Sequence, residues 1–140
     1  MTGNFGRRTL LATSAAIGAL GAPRLSFGQA REAIRIGEIN SYSAQPAFLA
    51  PYRNGWNLAL EQINAAGGVG GRPLETIFRD DAGRPEDAVR HAGELINAER
   101  VNLLAGGFLS NVGLAISDFA LQNRRLYVAS EPLTDALVWS

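Results

Sequence analysis

Apolar side chains recur every three or four positions in one stretch of the chain, and this spacing predicts a long amphipathic helix. The residues on its apolar face are Leu49, Tyr52, Trp56, Leu60 and Ile63. Pro51 is expected in the first turn, where its missing N–H would have no partner anyway. Two glycines at positions 67 and 68 end the helix, because glycine readily adopts the left-handed conformation that closes a last turn. β-rich segments at 33–40 and 74–79 flank the helix, so this part of the chain is a predicted βαβ unit with parallel strands.

The rest of the chain repeats this alternation. Predicted helices cover 85–97 and 111–123, and predicted strands cover 101–105 and 126–129. The third strand is short and uniformly apolar, as expected of a strand that is covered on both faces. The order βαβαβαβ predicts an α/β fold with a doubly wound parallel sheet.

The composition narrows the classes of function. The 140 residues include no cysteine, carry a formal net charge of zero and are 46% hydrophobic, which is ordinary for a soluble globular chain. Without cysteine there is no disulfide, no thiol chemistry and no lipid-anchored N-terminal cysteine. A balanced charge without a basic cluster makes nucleic acid an unexpected partner.

Residues 1–30 are predicted to be an export signal peptide rather than part of the fold. Arg7 and Arg8 precede a mildly apolar stretch, and small residues around Ala30 offer a cleavage site. The apolar stretch is too short to cross a membrane. The arginine pair favours the twin-arginine export route, and the alternative is an ordinary secretory leader with a chance arginine pair. Either route predicts that residues 31–140 reach the periplasm after the leader is removed.

The residues that are typical of catalytic or metal sites have structural interpretations here. The pair Asp80 and Asp81 is compatible with acid–base chemistry or a magnesium site, but no histidine, lysine or serine base completes such a set. Asp81 is expected to help the N-terminus of the next helix, and His91 to lie on that helix's solvated face. No phosphate loop, dinucleotide fingerprint or nucleophile elbow is present. The sequence therefore predicts no enzyme activity, no metal and no cofactor.

Ligands of open α/β sheets bind outside the carboxyl ends of the strands, beside helix N-termini. The predicted loops at 40–48, 106–111 and 130–135 meet this description. In the second loop, two glycines allow close approach to the backbone, and Leu109 and Ser110 follow where the next helix begins. Free N–H groups and the helix dipole favour a carboxylate beside Ser110. The alternative is that Ser110 or Asn111 only caps its helix.

One long stretch resembles a known family. Its specific residues are, in order, Asn64-Ala65-Ala66-Gly67-Gly68-Val69, Gly71-Arg72, Asp80-Asp81, and Pro85 with Ala88. This order and spacing is similar to that of the type 1 periplasmic binding proteins of the leucine/isoleucine/valine-binding class, from about Ile34 to the end of the chain. The resemblance implies a two-lobed fold, of which residues 31–140 would form part of the N-terminal lobe. Since family members are well over twice this length, the chain is interpreted as a fragment or a truncated gene product.

The resemblance also implies roles for residues of the first two loops. Family members hold a ligand carboxylate with the serine at the position of Ser110, and they place an aromatic side chain against the ligand at the position of Phe48. The alternative for Phe48 is a core residue at the start of the helix. Tyr42 and Ser43 are further candidate ligand-binding residues of the first loop.

The third loop departs from the family pattern. Family members use backbone carbonyls and a small hydroxyl residue there to hold an α-ammonium group. This chain has Glu131, Pro132, Leu133 and Thr134 instead, and a glutamate would pair with an amine or would face water. Glu131, Leu133 and Thr134 are therefore candidate ligand-binding residues, and the solute stays open among branched-chain amino acids, aromatic acids, amides and urea.

The function implied by the resemblance is that of an extracytoplasmic solute-binding component of an ABC transporter. Two lobes would close over a small solute, and a permease in the inner membrane would recognise the closed form. The alternative is a receptor domain of the same fold that senses an amide or acid and signals to a regulator. An enzyme on the same sheet would need a catalytic base that these residues do not supply.

Overall fold

The computed structural model describes residues 31–138. The elements, in order, are β1 (Ile34–Asn40), α1 (Pro46–Ala65), β2 (Leu74–Asp80), α2 (Pro85–Asn97), β3 (Leu103–Gly106), α3 (Ser110–Gln122) and β4 (Leu126–Ala129), with a single 3-10 turn at Asp135–Leu137. This order confirms the predicted βαβαβαβ alternation and the α/β fold class.

The four strands form one parallel sheet in the order β2-β1-β3-β4. The chain first moves from β1 outward to β2, then returns across β1 to β3 and continues to β4. Because parallel crossovers are right-handed, this reversal places α1 on one face of the sheet and both α2 and α3 on the other. The reversal lies between β1 and β3, and the crevice outside their carboxyl ends is where sheets of this kind bind ligands.

The main core lies between the sheet and the pair α2 and α3. Its fully or nearly fully buried side chains are Ile39, Ala88, Ala92, Leu95, Ile96, Val101, Leu104, Val112, Ile116 and Ala120. The two helices contribute their apolar positions at three- and four-residue spacing, as expected of helices that cover one face of a sheet.

Helix α1 covers its face of the sheet less completely. Of its residues only Leu49 is buried, while Tyr52, Trp56 and Leu60 are half-buried and Ile63 is 37% exposed. The indole Nε1 of Trp56 donates a hydrogen bond to Thr76 Oγ1 at 2.9 Å. A cavity of about 250 Å³ lies between the helix and the sheet, lined by Ile36, Trp56, Ala59, Leu60, Ile63 and Leu74.

Several predicted boundaries were wrong. Helix α1 begins at Pro46, so Pro51 lies inside the helix instead of in its first turn. Strand β3 begins two residues later than predicted, because Asn102 pairs with Arg35 through its side-chain oxygen and its backbone N–H before the ladder begins. Helix α3 spans Ser110–Gln122, one residue earlier than predicted at both ends.

Two charged or polar residues also differ from expectation. His91 is largely shielded from solvent: its side chain is only 15% exposed and its Nδ1 lies 3.2 Å from Glu94 Oε2. Asp81 does not cap α2 with its carboxylate. Its Oδ1 instead accepts hydrogen bonds from Ser41 Oγ at 2.6 Å and from the Gly83 N–H at 2.7 Å, so it joins the end of β1 to the turn after β2.

Candidate functional site

Three connections converge at the carboxyl edge of the central strands: residues 41–45 after β1, residues 107–109 after β3, and residues 130–134 after β4. We call this region the crevice edge. Gly106 and Gly107 both have positive φ, of 107° and 82°. A Cβ on Gly106 would collide with the main-chain oxygen of Ile39, and one on Gly107 with the hydroxyl of Tyr127. Glycine is therefore required for the tight path that carries the chain from β3 into α3.

Ser110 is the first residue of α3, and the N-cap position belongs to Leu109, which makes no side-chain cap. The alternative interpretation, in which Ser110 or Asn111 caps the helix, was therefore wrong. The Ser110 hydroxyl instead donates a hydrogen bond to the main-chain oxygen of Leu133 at 3.2 Å. This contact joins the second connection to the third, and it places a hydroxyl donor beside the free N–H groups of the first turn.

Phe48 is 65% exposed and is not a core residue. Its ring stacks on that of Phe108, with centroids 5.7 Å apart and planes 29° from parallel. The pair joins the start of α1 to the connection after β3 and forms a flat apolar wall at the crevice edge. Phe108 was missed by the sequence interpretation, although its place directly after two loop glycines was a usable signal.

Tyr52 and Ser130 connect α1 to the segment after β4, and both were also missed as site residues. Their hydroxyl oxygens lie 3.1 Å apart. Tyr52 is one helical turn from Phe48, so both aromatic side chains share one face of α1. The neighbouring Glu131 is half-buried, and its Oε2 is shielded from solvent without a hydrogen-bond partner. That oxygen is an unsatisfied acceptor next to the crevice edge.

Tyr42 and Ser43 face other parts of the structure. The Tyr42 hydroxyl turns inward and donates to Glu38 Oε2 at 2.6 Å, while the Ser43 N–H donates to the carboxylate of Asp80, at 3.2 Å for Oδ2. Burial raises the pKa of Glu38 from 4.5 to about 7, although the hydrogen bond from Tyr42 opposes this rise. The structure therefore does not bring Tyr42 and Ser43 together with Ser110 and the phenylalanine pair.

The remaining predicted site residues have different structural roles. Leu109 packs against the main core. Leu133 is 94% exposed and offers its main-chain oxygen to Ser110. Thr134 accepts a hydrogen bond from the Ala136 N–H at 3.4 Å and so caps the 3-10 turn.

The arrangement combines three kinds of binding group. The N-terminus of α3 with the Ser110 hydroxyl suits a carboxylate, the Phe48–Phe108 wall suits an apolar or aromatic body, and Glu131 suits a group that donates hydrogen bonds. Within residues 31–138, no cluster of three or more side chains has the composition of a metal site. In that same range no helix combines the length and apolar character needed to cross a membrane.

Comparison with known proteins places this architecture in a family. The family model described as periplasmic binding protein matches residues 33–138. The chain belongs to the periplasmic binding protein family. The resemblance derived from the sequence motifs is thereby confirmed.

Curated relatives include amino-acid-binding proteins. The chain is 39% identical over 75 residues to the leucine-, isoleucine-, valine-, threonine- and alanine-binding protein of Pseudomonas aeruginosa, a match that covers 51% of this chain and 20% of that protein. It is 29% identical over 86 residues to a Leu/Ile/Val-binding protein homologue of Brucella abortus, which covers 61% of this chain and 23% of that protein. The chain thus spans about a fifth of the length of the curated relatives that it matches.

Solved structures show the same fold. An ABC transporter substrate-binding protein from Sphaerobacter thermophilus is 36% identical with a TM-score of 0.62, over 74% of this chain and 28% of that one. A solute binding protein from Rhodopseudomonas palustris, solved with 3,4-dihydroxybenzoic acid, is 25% identical with a TM-score of 0.66, over 76% and 29%. A branched-chain amino acid binding protein from Streptococcus pneumoniae, solved with isoleucine, has a TM-score of 0.70 at 24% identity, over 75% and 30%.

Proposed function

We propose that this protein is the solute-binding component of an ABC transporter, acting outside the cytoplasm on branched-chain amino acids or related small organic acids. The observation that supports it most is the position of the Ser110 hydroxyl at the N-terminus of α3, beside the stacked rings of Phe48 and Phe108. A polar anchor next to an apolar wall matches the two ends of a small amphipathic acid. The family membership and the names of the relatives support the same function.

Each part of such a solute has a partner at the crevice edge. The carboxylate accepts hydrogen bonds from Ser110 and the first N–H groups of α3. The side chain or ring of the solute packs on Phe48 and Phe108. An α-ammonium or hydroxyl group donates to the carboxylate of Glu131, whose Oε2 has no hydrogen-bond partner among the described residues.

In this proposal the crevice edge is one half of the binding site. A second lobe closes over the solute, and a permease in the inner membrane recognises the closed form. Closure removes the anchored carboxylate from water and thereby strengthens its hydrogen bonds.

Calorimetric titration of the complete mature protein tests the binding proposal, with isoleucine and 4-hydroxybenzoate as first probes and the other branched-chain and aromatic acids after them. We expect saturable binding of at least one acid, and a weaker affinity for it in Phe108→Ala. Leu121→Ala, on the exposed side of α3, is the matched control and should bind as the wild type does. If none of these acids binds, the proposed solute class is wrong; if the bound acid is converted to a product, the protein is an enzyme.

A deletion strain separates transport from sensing. Loss of the gene should reduce uptake of the bound acid, measured with a radiolabelled probe. Unchanged uptake together with altered expression of neighbouring genes would instead identify a receptor.

The export proposal concerns residues 1–30, which lie outside the described residues. We propose that they are a twin-arginine signal peptide and that residues 31–140 begin the mature protein, in part of its N-terminal lobe. Replacing Arg7 and Arg8 by lysine should lower the periplasmic yield of the complete protein, measured by cell fractionation. An undiminished yield would exclude twin-arginine dependence and leave another export route.

A further inference from the structure

A glutamate occupies the centre of the sheet, where a parallel sheet normally carries apolar side chains. Glu38 lies on β1 between Phe78 of β2 and Ala105 of β3, and its side chain is fully buried. Burying a carboxyl group is costly unless it is paired or hydrogen-bonded, because its charged form loses the solvation of water. The site described above does not use Glu38, so its retention in the core needs a separate explanation.

Glu38 contacts the connections that build the crevice edge. Its Oε2 accepts the hydroxyl of Tyr42 at 2.6 Å, which holds the connection after β1. Its Oε1 accepts the side-chain amide of Asn40 at 3.2 Å. The same Oε1 lies only 2.9 Å from where a Cβ on Gly106 would be, so the side chain packs directly under the turn after β3.

A further contact reaches the segment after β4. Tyr52 is among the groups that lower the pKa of Glu38, and its hydroxyl lies 3.1 Å from the Ser130 hydroxyl. One buried carboxyl group therefore lies against the connections after β1 and β3, and Tyr52 stands between it and the segment after β4.

The other ionisable groups around Glu38 come from α1, from β4 and from the segment after β4. Arg53 of α1 lies over the Tyr42 ring, 5.2 Å from its centroid, and its positive charge favours the ionised carboxylate. Tyr127 of β4 and Tyr52 of α1 both have raised pKa values, chiefly through burial, with the charge of Glu38 adding to the shift. The charge of Glu131 also raises the pKa of Tyr52.

We propose that Glu38 is a positioning residue for the candidate solute site: its ionised carboxylate ties the connections after β1 and β3 together, so that solute affinity depends on its protonation state. The effect of Glu38 on solute affinity rests on the proposed function. Its effect on the connections after β1 and β3 does not. The Asn40 amide donates to Oε1 in either protonation state, and an ionised Glu38 also accepts the hydrogen of the Tyr42 hydroxyl. A protonated Glu38 instead donates to the Tyr42 hydroxyl, so a short hydrogen bond to a charged group is replaced by a weaker neutral one.

The first experiment needs no solute. Hydrogen–deuterium exchange of the complete mature protein is compared at one pH between the wild type, Glu38→Gln and Glu38→Leu. We expect faster exchange in both variants for peptides that cover residues 41–48 and 106–110, and unchanged exchange in α2. The control is Glu75→Gln on the neighbouring strand, since the Glu75 side chain is 54% exposed. Unchanged exchange at the two connections in folded Glu38→Gln would overturn the proposal.

The second experiment is a pH profile of affinity between pH 5.5 and pH 8, with isoleucine and 4-hydroxybenzoate as probes. The carboxylate of each probe stays ionised between pH 5.5 and pH 8, so a change in affinity over this range comes from the protein. Wild-type affinity should fall by about two- to tenfold at the acidic end, the size of one weakened hydrogen bond. Glu38→Gln should show a flat profile while Glu75→Gln follows the wild type. Parallel affinity profiles of the wild type and Glu38→Gln would refute the dependence of affinity on protonation of Glu38. If the wild type binds neither acid, the proposed function is contradicted. The hydrogen–deuterium exchange result then decides whether Glu38 is a positioning residue.

Discussion

The hydroxyl of Ser110 donates a hydrogen bond to the main-chain oxygen of Leu133, 3.2 Å away, and so connects the first turn of α3 to the segment after β4. A neutral carbonyl is a weaker acceptor than a carboxylate. A bound acid would therefore compete successfully for this hydroxyl, and the contact seen here would be exchanged for one with the solute.

We expect Ser110→Ala in the complete protein to weaken binding of a carboxylate solute roughly ten- to a hundredfold, which corresponds to about 1.5–3 kcal/mol for a hydrogen bond to a charged group. Folding stability should fall by only about 1 kcal/mol, because the contact with Leu133 is partly exposed. Calorimetric titration and thermal unfolding measure the two effects. Ser117→Ala on the same helix is the control. Equal affinities of wild type and Ser110→Ala would show that Ser110 only shapes the turn.

Trp56 supports α1 through one hydrogen bond and one aromatic contact. Its Nε1 donates to Thr76, and its ring meets that of Phe78 edge-on at 6.3 Å. Because Trp56 is half-buried and borders a cavity, Trp56→Ala should destabilise the complete protein by about 2–3 kcal/mol, below the range for a fully buried aromatic. Trp56→Phe should cost about 1 kcal/mol, since it mainly removes the hydrogen bond. Denaturant unfolding that is unchanged in Trp56→Ala would contradict the packing of α1.

Glu38 should make stability depend on pH. Its pKa is raised from 4.5 to about 7 in the folded chain, so the unfolded chain ionises first as the pH rises. The contribution of Glu38 to stability is fully present below about pH 4.5 and is lost as the pH approaches 7, a loss of about 3 kcal/mol. Glu38→Gln cannot ionise, so the stability of this variant relative to the wild type should improve over the same interval. Urea unfolding at several pH values tests this, and a constant difference between the two proteins would contradict it.

Residues 31–140 on their own should associate or remain loosely packed. In the described part of the chain β4 pairs with β3 alone, and Leu126 and Val128 are 64% and 49% exposed. An unpaired strand edge beside exposed apolar side chains promotes association. Analytical ultracentrifugation should show oligomers, which Leu126→Lys should reduce. A monodisperse wild-type monomer with a cooperative melt would show that this segment is a self-sufficient domain.

The sequence alone was enough for the architecture, because local periodicity reports directly on which face of an element is buried. The predicted bounds of α2 and β4 agree with the structure, and those of α3 differ by one residue. The order of elements implied a parallel sheet, since right-handed crossovers leave few alternatives. The family followed from the glycine-rich end of α1 and the spacing of the motifs after it.

Only the tertiary structure decided which side chains meet at the crevice edge. Ser110 and Leu133 are 23 residues apart in sequence and Tyr52 and Ser130 are 78 apart, so no local pattern could pair them. The helix assignment also hid Tyr52, because an aromatic at helical spacing looks the same whether it faces a core or an open edge. Glu38 shows the same limit, since a single polar residue in a strand does not reveal its burial. That burial comes from neighbours on β2, β3 and α1, which the fold brings together from distant parts of the chain.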